Sequence, residues 1–250
     1  MKYFLSIVIP AFNESRNIRA GNLKEVYDYL KSRDFPWEVL VVDDGSTDAT
    51  AELAQKFVDS HKGFRVIRAP HMGKGRTVIS GMLEAKGDIV IFTDMDQATP
   101  ISELEKFLPK FNQGYDIVIG SRAGRKGANW IRKLMAYGFV FLRTIILRLP
   151  FRDTQCGFKG FSRPAIAPIF ERMKVFGKNE SISGSAVTAG FDLELLYIGR
   201  KLGYKIAEVT VAWEERGTRG DFGVNPIKDS WEGFRDLMKV RINAIKGEYR

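Results

Sequence analysis

The chain has 250 residues, 44% hydrophobic and 12% aromatic, a composition that fills a core and excludes disordered, collagen-like and coiled-coil classes. Its net charge of +9 is local: residues 1–120 hold 15 basic and 17 acidic side chains, 121–152 hold eight basic and none acidic, and 153–250 hold 16 and 13. An excess confined to one segment points to a phosphate or an anionic membrane surface and argues against a basic coat for nucleic acid.

The opening apolar run reads as a buried strand, Phe4–Ile9, because no small-residue cleavage site follows it. Further short apolar runs at Glu38–Val42, Phe64–Arg68, Ile89–Thr93 and Ile117–Gly120 alternate with amphipathic stretches over 14–32, 48–60, 74–86 and 101–112. Such alternation predicts an α/β fold, a doubly wound, mostly parallel sheet whose ligands sit at the carboxyl ends of its strands. Three polar clusters fall at those ends: Asn13-Glu14, Asp43-Asp44-Gly45-Ser46 and Asp94-Met95-Asp96-Gln97. The second half predicts an amphipathic helix over 129–149, a Gly-punctuated stretch over 153–161, a helix near 190–202, a strand over 205–213 and a terminal amphipathic helix over 226–246. The expected organisation is one domain over 1–225, with a nucleotide-binding half (1–122) and an acceptor half (123–225), followed by the helical tail 226–250.

A single cysteine, Cys156, excludes an internal disulfide or a Cys-rich zinc site and fits a reducing, cytoplasmic setting. His61 and His71 lack metal-ligand spacing, and no charge-free run approaches the ~18–20 residues that span a bilayer.

Two carboxylates two residues apart at a strand end, Asp94 and Asp96, can share one hard cation, Mg²⁺ or Mn²⁺, with a diphosphate; paired loop acids are otherwise simply solvated. In Asp43–Asp48 a carboxylate can accept hydrogen bonds from a base edge or ribose hydroxyls, while Ser46 or Thr47 can cap the following helix, as Asn13 can cap helix 14–32. Gly73-Lys74-Gly75-Arg76-Thr77 fits neither the triphosphate loop nor the dinucleotide pattern and reads as a helix start with two positive charges. Arg122 follows the strand ending in Gly120-Ser121, where it meets an anion or forms a surface salt bridge. In 129–149, Arg132 and Arg143 lie about three turns apart on one helix face, with Lys133 and Arg148 adjoining. With its apolar remainder this helix can lie in an anionic membrane interface or pack in the core. Ile227, Trp231, Phe234, Met238, Ile242 and Ile245 form a second apolar stripe, for the protein body or for lipid.

Ile7-Val8-Ile9-Pro10-Ala11-Phe12-Asn13-Glu14, Val41-Val42-Asp43-Asp44-Gly45-Ser46-Thr47-Asp48, Gly73-Lys74-Gly75, Thr93-Asp94-Met95-Asp96 and Gly120-Ser121-Arg122 occur in this order. Together they resemble family 2 glycosyltransferases with a GT-A fold. Asp153-Thr154-Gln155-Cys156-Gly157-Phe158-Lys159-Gly160-Phe161 and Phe191-Asp192-Leu193-Glu194 resemble the branch that loads a sugar onto polyprenyl or dolichyl phosphate. The resemblance implies that Pro10, Phe12, Glu14, Val42 and Asp44 hold the nucleoside, with Lys74 at the donor. It implies that Asp94, Met95, Asp96 and Gln97 hold diphosphate and metal, Asp96 being the direct ligand, and that Arg122, Arg132, Arg216 and Arg219 meet the phosphates of donor and acceptor. The continuation Gln97-Ala98-Thr99-Pro100 is closer to the glucosyl than to the mannosyl branch, which favours UDP-glucose over GDP-mannose.

The implied reaction is displacement of a nucleoside diphosphate by a lipid phosphate oxygen, with inversion to a β-linked product. A phosphate monoester is already anionic near neutral pH, so no general base is required. The expected partners are a nucleotide-sugar donor, a polyprenyl phosphate, a membrane surface at its cytoplasmic face and a membrane-anchoring protein; nucleic acid is not among them. A soluble acceptor, or a non-catalytic scaffold that would not need the Asp94/Asp96 pair, are the competing readings.

Overall fold

The computed structural model describes residues 2–122, 130–175, 190–214, 216 and 226–250, with backbone only for 130–137 and 226–230. Seven strands are described: β1 (Leu5–Ala11), β2 (Trp37–Asp44), β3 (Phe64–Ala69), β4 (Ile89–Phe92), β5 (Ile117–Arg122), β6 (Lys159–Ser162) and β7 (Ile206–Val211). They form one sheet in the order β3-β2-β1-β4-β6-β5-β7. All neighbours are parallel except β6, which runs antiparallel to both β4 and β5. The mixed, mostly parallel sheet is the expected one; β6 is an addition, from a stretch that had only its glycines to mark it.

Helices cover both faces, which is why β1, β2 and β4 are continuous apolar runs rather than alternating ones. Leu5, Ile7, Ile9, Val39 and Val41 meet α2 (Asn22–Leu30) and α5 (Leu104–Asn112) on one face. Val8, Leu40, Val42, Val90 and Phe92 meet α4 (Lys74–Glu84), α7 (Arg163–Phe170) and α8 (Gly190–Lys201) on the other. The expected helix 14–32 is two: α1 (Ser15–Arg19) ends at Gly21, whose φ of +92° breaks the helical path before α2. Between β2 and β3 lies α3 (Thr50–Ser60).

In the second half, α6 (Trp130–Leu147) and α9 (Pro226–Ile245) pack against each other, and α9 also packs on α8. Leu237, Val240 and Tyr249 are at most 1% exposed and belong to the main core, so the tail is integrated into the body. The basic face expected on α6 needs correction at Arg143, which is only 2% exposed. Its guanidinium donates to the carbonyls of Leu149 and Phe151 and to Thr154 Oγ1. Those acceptors belong to the chain reversal after α6, whose buried carbonyls need a donor from outside the helix. Helical spacing placed Arg132 and Arg143 on one face but carried no information about which partners that face would meet.

Candidate active site

The first two strand-end loops are joined by hydrogen bonds. Asn13, at φ +55°, turns the chain out of β1, and its Oδ1 accepts from the N–H groups of Thr47 (2.9 Å) and Asp48 (3.3 Å). Ser46 Oγ accepts from Asn13 N–H, and Thr50 Oγ1 from Glu14 N–H at 2.7 Å. Asn13, Ser46 and Thr47 therefore tie loop to loop instead of capping the following helices, which corrects the expectation from sequence; the carboxylate of Asp48 receives Thr50 N–H at the start of α3.

Asp44 is buried, and its carboxylate accepts from the N–H groups of Met72 (2.8 Å) and Gly73 (2.9 Å) and contacts His71 Nδ1 at 2.9 Å. It thereby fixes the loop that starts α4. His71 stacks on Phe12 with ring centroids 4.0 Å apart. Pro10 and Val42 are register partners in the sheet and both are buried. Met95 is buried in the core beside α2, where Asn22 Nδ2 donates to its carbonyl. The side chains of Val42 and Met95 are thus buried in the core, whereas the Phe12–His71 stack beside the expected nucleoside position is only half-buried.

The acidic centre lies after β4. Lys74, the first residue of α4, places its ammonium on Asp94 Oδ1. Asp96 Oδ1 accepts from Ala98 N–H, and Gln97, at φ +51°, closes the turn by donating from Nε2 to the Asp94 carbonyl. Gln97 Oε1 is buried without a hydrogen-bond partner. Glu14 faces this centre from the end of β1: burial chiefly raises its carboxyl above the usual range, its bond from Asn17 opposes this, and Asp96 and Asp94 add to the rise.

Residues from the second half complete the centre, and sequence reasoning gave them no individual role. Gly157 packs directly on the Asp94 carboxylate. Lys159 is fully buried on β6, reaches Asp192 at 2.7 Å and the Cys156 carbonyl, and lies 5.4 Å from the Phe92 ring centroid. Burial raises the Asp192 carboxyl more than Lys159 and Lys74 lower it, and Asp94 raises it further. Both residues sit in motifs that carried the resemblance, which was the available signal.

The basic residues are brought to the same end of the sheet. Arg122 forms a fork with Asp153, Nε to Oδ2 at 2.6 Å and Nη2 to Oδ1 at 3.0 Å, under Trp213. Both partners are less than one-fifth exposed, so this is no surface salt bridge. Arg216 pairs with Glu25 of α2 at 2.6 Å, a bond that is the main cause of its raised pKa, with Asp96 a small further contributor. Its segment is held over the acidic turn by Glu214 N–H donating to the Ala98 carbonyl. Arg132 lies on α6, where only the backbone is described, and Arg219 falls outside the described residues.

Among the described residues no cluster of three or more His, Cys, Asp or Glu is placed to hold an ion. Asp94 and Asp96 would offer hard oxygen donors from one turn, where Gln97 Oε1 is a further oxygen, buried and without a hydrogen-bond partner. That set fits a small divalent ion whose coordination a diphosphate and water complete, the usual arrangement for Mg²⁺ in phosphate chemistry.

The mostly parallel sheet with an acidic turn after its central strand β4 is the architecture of GT-A glycosyltransferases of known structure. The fold is shared with glucosyl-3-phosphoglycerate synthase of Mycobacterium tuberculosis, solved with Mn²⁺, UDP and glucosyl-3-phosphoglycerate: TM-score 0.64 and 20% identity over 95% of this chain and 80% of that one. Mannosyl-3-phosphoglycerate synthase of Rubrobacter xylanophilus gives TM-score 0.66 and 18% identity over 98% and 76%. Residues 6–170 match the model of glycosyl transferase family 2, and the chain belongs to that family. The dolichyl-phosphate β-glucosyltransferase ALG5C of Trichomonas vaginalis is 36% identical over 97% of this chain and 70% of its own length. The dolichyl-phosphate β-glucosyltransferases of Homo sapiens and Saccharomyces cerevisiae are each 31% identical, over 98% and 99% of this chain and 77% of theirs. The resemblance to the lipid-phosphate branch is borne out, on its glucosyl side.

Proposed function

We propose that this protein transfers glucose from UDP-glucose to the phosphate of a dolichyl-type polyprenyl lipid, inverting the donor linkage to give a β-linked lipid-phosphate sugar. The observation that carries the reading is the convergence of Glu14, Lys74, Gly157 and Asp192 from different elements on the Asp94–Asp96 turn. Curated relatives with dolichyl-phosphate glucosyltransferase activity, matching over nearly the whole chain, support the acceptor class.

Asp94 and Asp96 would hold the divalent ion, Mg²⁺ or Mn²⁺. When bound, it supplies Lewis-acid neutralisation of the departing diphosphate. The chain's own groups do the remainder. Phe12 and His71 offer a flat platform for a base, and the loop fixed by Asp44 holds that platform in place. Arg122 and Arg216 bring cationic forks beside the acidic turn, where guanidinium groups can hold the phosphate monoester against the anionic donor. Each is now bonded to a carboxylate, Asp153 or Glu25, which orients it and limits the cost of keeping an unpaired charge. Because the attacking oxygen is already ionised, no side chain need take its proton.

The lipid acceptor requires a membrane surface. Phe141, Leu142 and Ile145 of α6 and Trp231, Ile242 and Ile245 of α9 are exposed apolar residues on two helices packed side by side. Among the described residues no helix is long and apolar enough to cross a membrane. These two helices would therefore hold the protein peripherally at the cytoplasmic face, alone or with a membrane-anchoring protein. Mass spectrometry of products from a panel of nucleotide sugars with dolichyl phosphate and Mg²⁺ or Mn²⁺ tests the reading. A hexosyl lipid phosphate formed from UDP-glucose is expected; product from GDP-mannose alone, or transfer only to soluble acceptors, would overturn it.

A further inference from the structure

Lys74 stands among four carboxylates supplied by three parts of the chain. Its ammonium contacts Asp94 Oδ1, and its charge also acts on Glu14 and Asp192, both of which feel Asp94. Asp96 is the further neighbour of Glu14. Carboxylates gathered this closely repel one another unless a cation lies between them. Asp192 already has Lys159 at 2.7 Å, whereas the Asp94 side of the cluster is met by Lys74.

A divalent ion held by Asp94 would compete with the ammonium for the negative charge of the same carboxylate. The two cations also repel. Lys74 can leave without disturbing its backbone, because Asp44 holds the preceding N–H groups of Met72 and Gly73, and rotation of the lysine stem is enough. Lys74 and Asp94 are each about one-third exposed, so the exchange takes place at the mouth of the site rather than in the core.

We propose that Lys74 is an exchangeable counter-cation, holding Asp94 while the donor site is empty and passing to the diphosphate when ion and nucleotide enter together. The inference rests on the reading that Asp94 and Asp96 hold the ion with the donor. It goes further by making Lys74 the residue that couples the two binding events. An ion arriving alone must displace the ammonium from Asp94 against the repulsion between the two cations. An ion arriving with a diphosphate brings anionic oxygens that draw the ammonium away, so the ion binds weakly without nucleotide and tightly with it.

The test is Mn²⁺ binding to the full chain, followed by the paramagnetic resonance of free Mn²⁺, with and without UDP. Wild type should bind Mn²⁺ at least about tenfold more tightly with UDP than without, a ratio within the usual range of coupling between sites. Lys74→Met should bind Mn²⁺ alone several-fold more tightly than wild type and lose most of the gain from UDP, and Lys74→Gln should do the same. Lys74→Arg, which keeps the charge, should stay close to wild type. Unchanged or weaker binding of Mn²⁺ alone by both neutral variants would overturn the proposal while leaving the metal reading intact. Absence of Mn²⁺ binding by wild type with either UDP or GDP would overturn the metal reading, and the proposal with it.

Discussion

A β-carbon added to Gly157 would lie 2.1 Å from Asp94 Oδ2, so the loop before β6 sets how the first carboxylate of the acidic turn stands. The atom in the way is the end of a side chain, which can rotate, and the backbone on both sides can stay as it is. Gly157→Ala should therefore fold with a melting temperature close to wild type, yet displace Asp94 from both Lys74 and any bound ion. A misplacement of about 1 Å at a reacting centre costs on the order of 100-fold in rate. Steady-state kinetics beside a melting curve checks this, and a fully active Gly157→Ala would remove the loop from the site.

Lys159 is the buried partner of Asp192, and removing either charge alone strands the other. Lys159→Met should lose about 3–5 kcal/mol of stability, as expected when a buried pair is broken from one side. The double variant Lys159→Met with Asp192→Asn should recover much of that loss, because neither charge then remains. Chemical denaturation of the single and double variants measures the coupling. Additive losses would mean that the 2.7 Å contact contributes no mutual stabilisation.

The Arg122–Asp153 fork gives an acid-sensitive element. Burial tends to raise the Asp153 carboxyl, but the bonds and charge of Arg122 hold it below the usual carboxylate range. Since the folded pKa is depressed, the stabilisation is complete above the unfolded pKa of about 3.9 and disappears as pH falls through the folded value. Asp153→Asn should be less stable than wild type at neutral pH, with the gap closing below about pH 4. A gap that is constant across this range would assign the loss to packing rather than to charge.

The alternation of apolar runs with amphipathic stretches was enough to anticipate β1 to β5 and β7, and the acidic clusters do fall at the ends of β1, β2 and β4, where the candidate site lies. Strand β6 was hidden because Lys159-Gly160-Phe161-Ser162 is short and carries a glycine and a lysine whose burial depends on Asp192 of a distant helix. Helix α7 was not anticipated; it carries Pro164 in its first turn, where no backbone donor is needed, and Pro168 inside it, where proline disfavours a helix. The roles of Gly157, Asp153 and Glu25 depend on contacts across long sequence separations, and no local pattern encodes those.

Arg216 separates catalytic from structural contribution more cleanly than Arg122. Its pair with Glu25 is 31% and 39% exposed, and a solvated pair of this kind is worth at most about 1 kcal/mol. Arg216→Met should therefore melt close to wild type while its kcat/KM for lipid phosphate falls by about two orders of magnitude, the scale of losing a charge-assisted bond made in the transition state. Normal kinetics with lipid phosphate would exclude Arg216 from acceptor binding.

Phe141 and Ile145 on α6 and Trp231 and Ile245 on α9 are each more than 60% exposed, although both helices bury other residues in the core. Arg235 and Lys239 on α9 and Lys246 directly after it are exposed near its apolar stripe, which suits an anionic lipid surface. Apolar side chains exposed in this number on adjoining helices mark an interaction surface. Replacing Phe141 and Ile145, or Trp231 and Ile245, by serine removes no core contact and should change stability by no more than about 0.5 kcal/mol per site. Co-sedimentation with anionic vesicles should fall several-fold in either pair of substitutions, and transfer to lipid phosphate in vesicles should fall with it. Donor hydrolysis in the absence of lipid should be unchanged. Vesicle binding equal to wild type in both variants would shift attachment away from these helices and make a membrane-anchoring partner the carrier of the association.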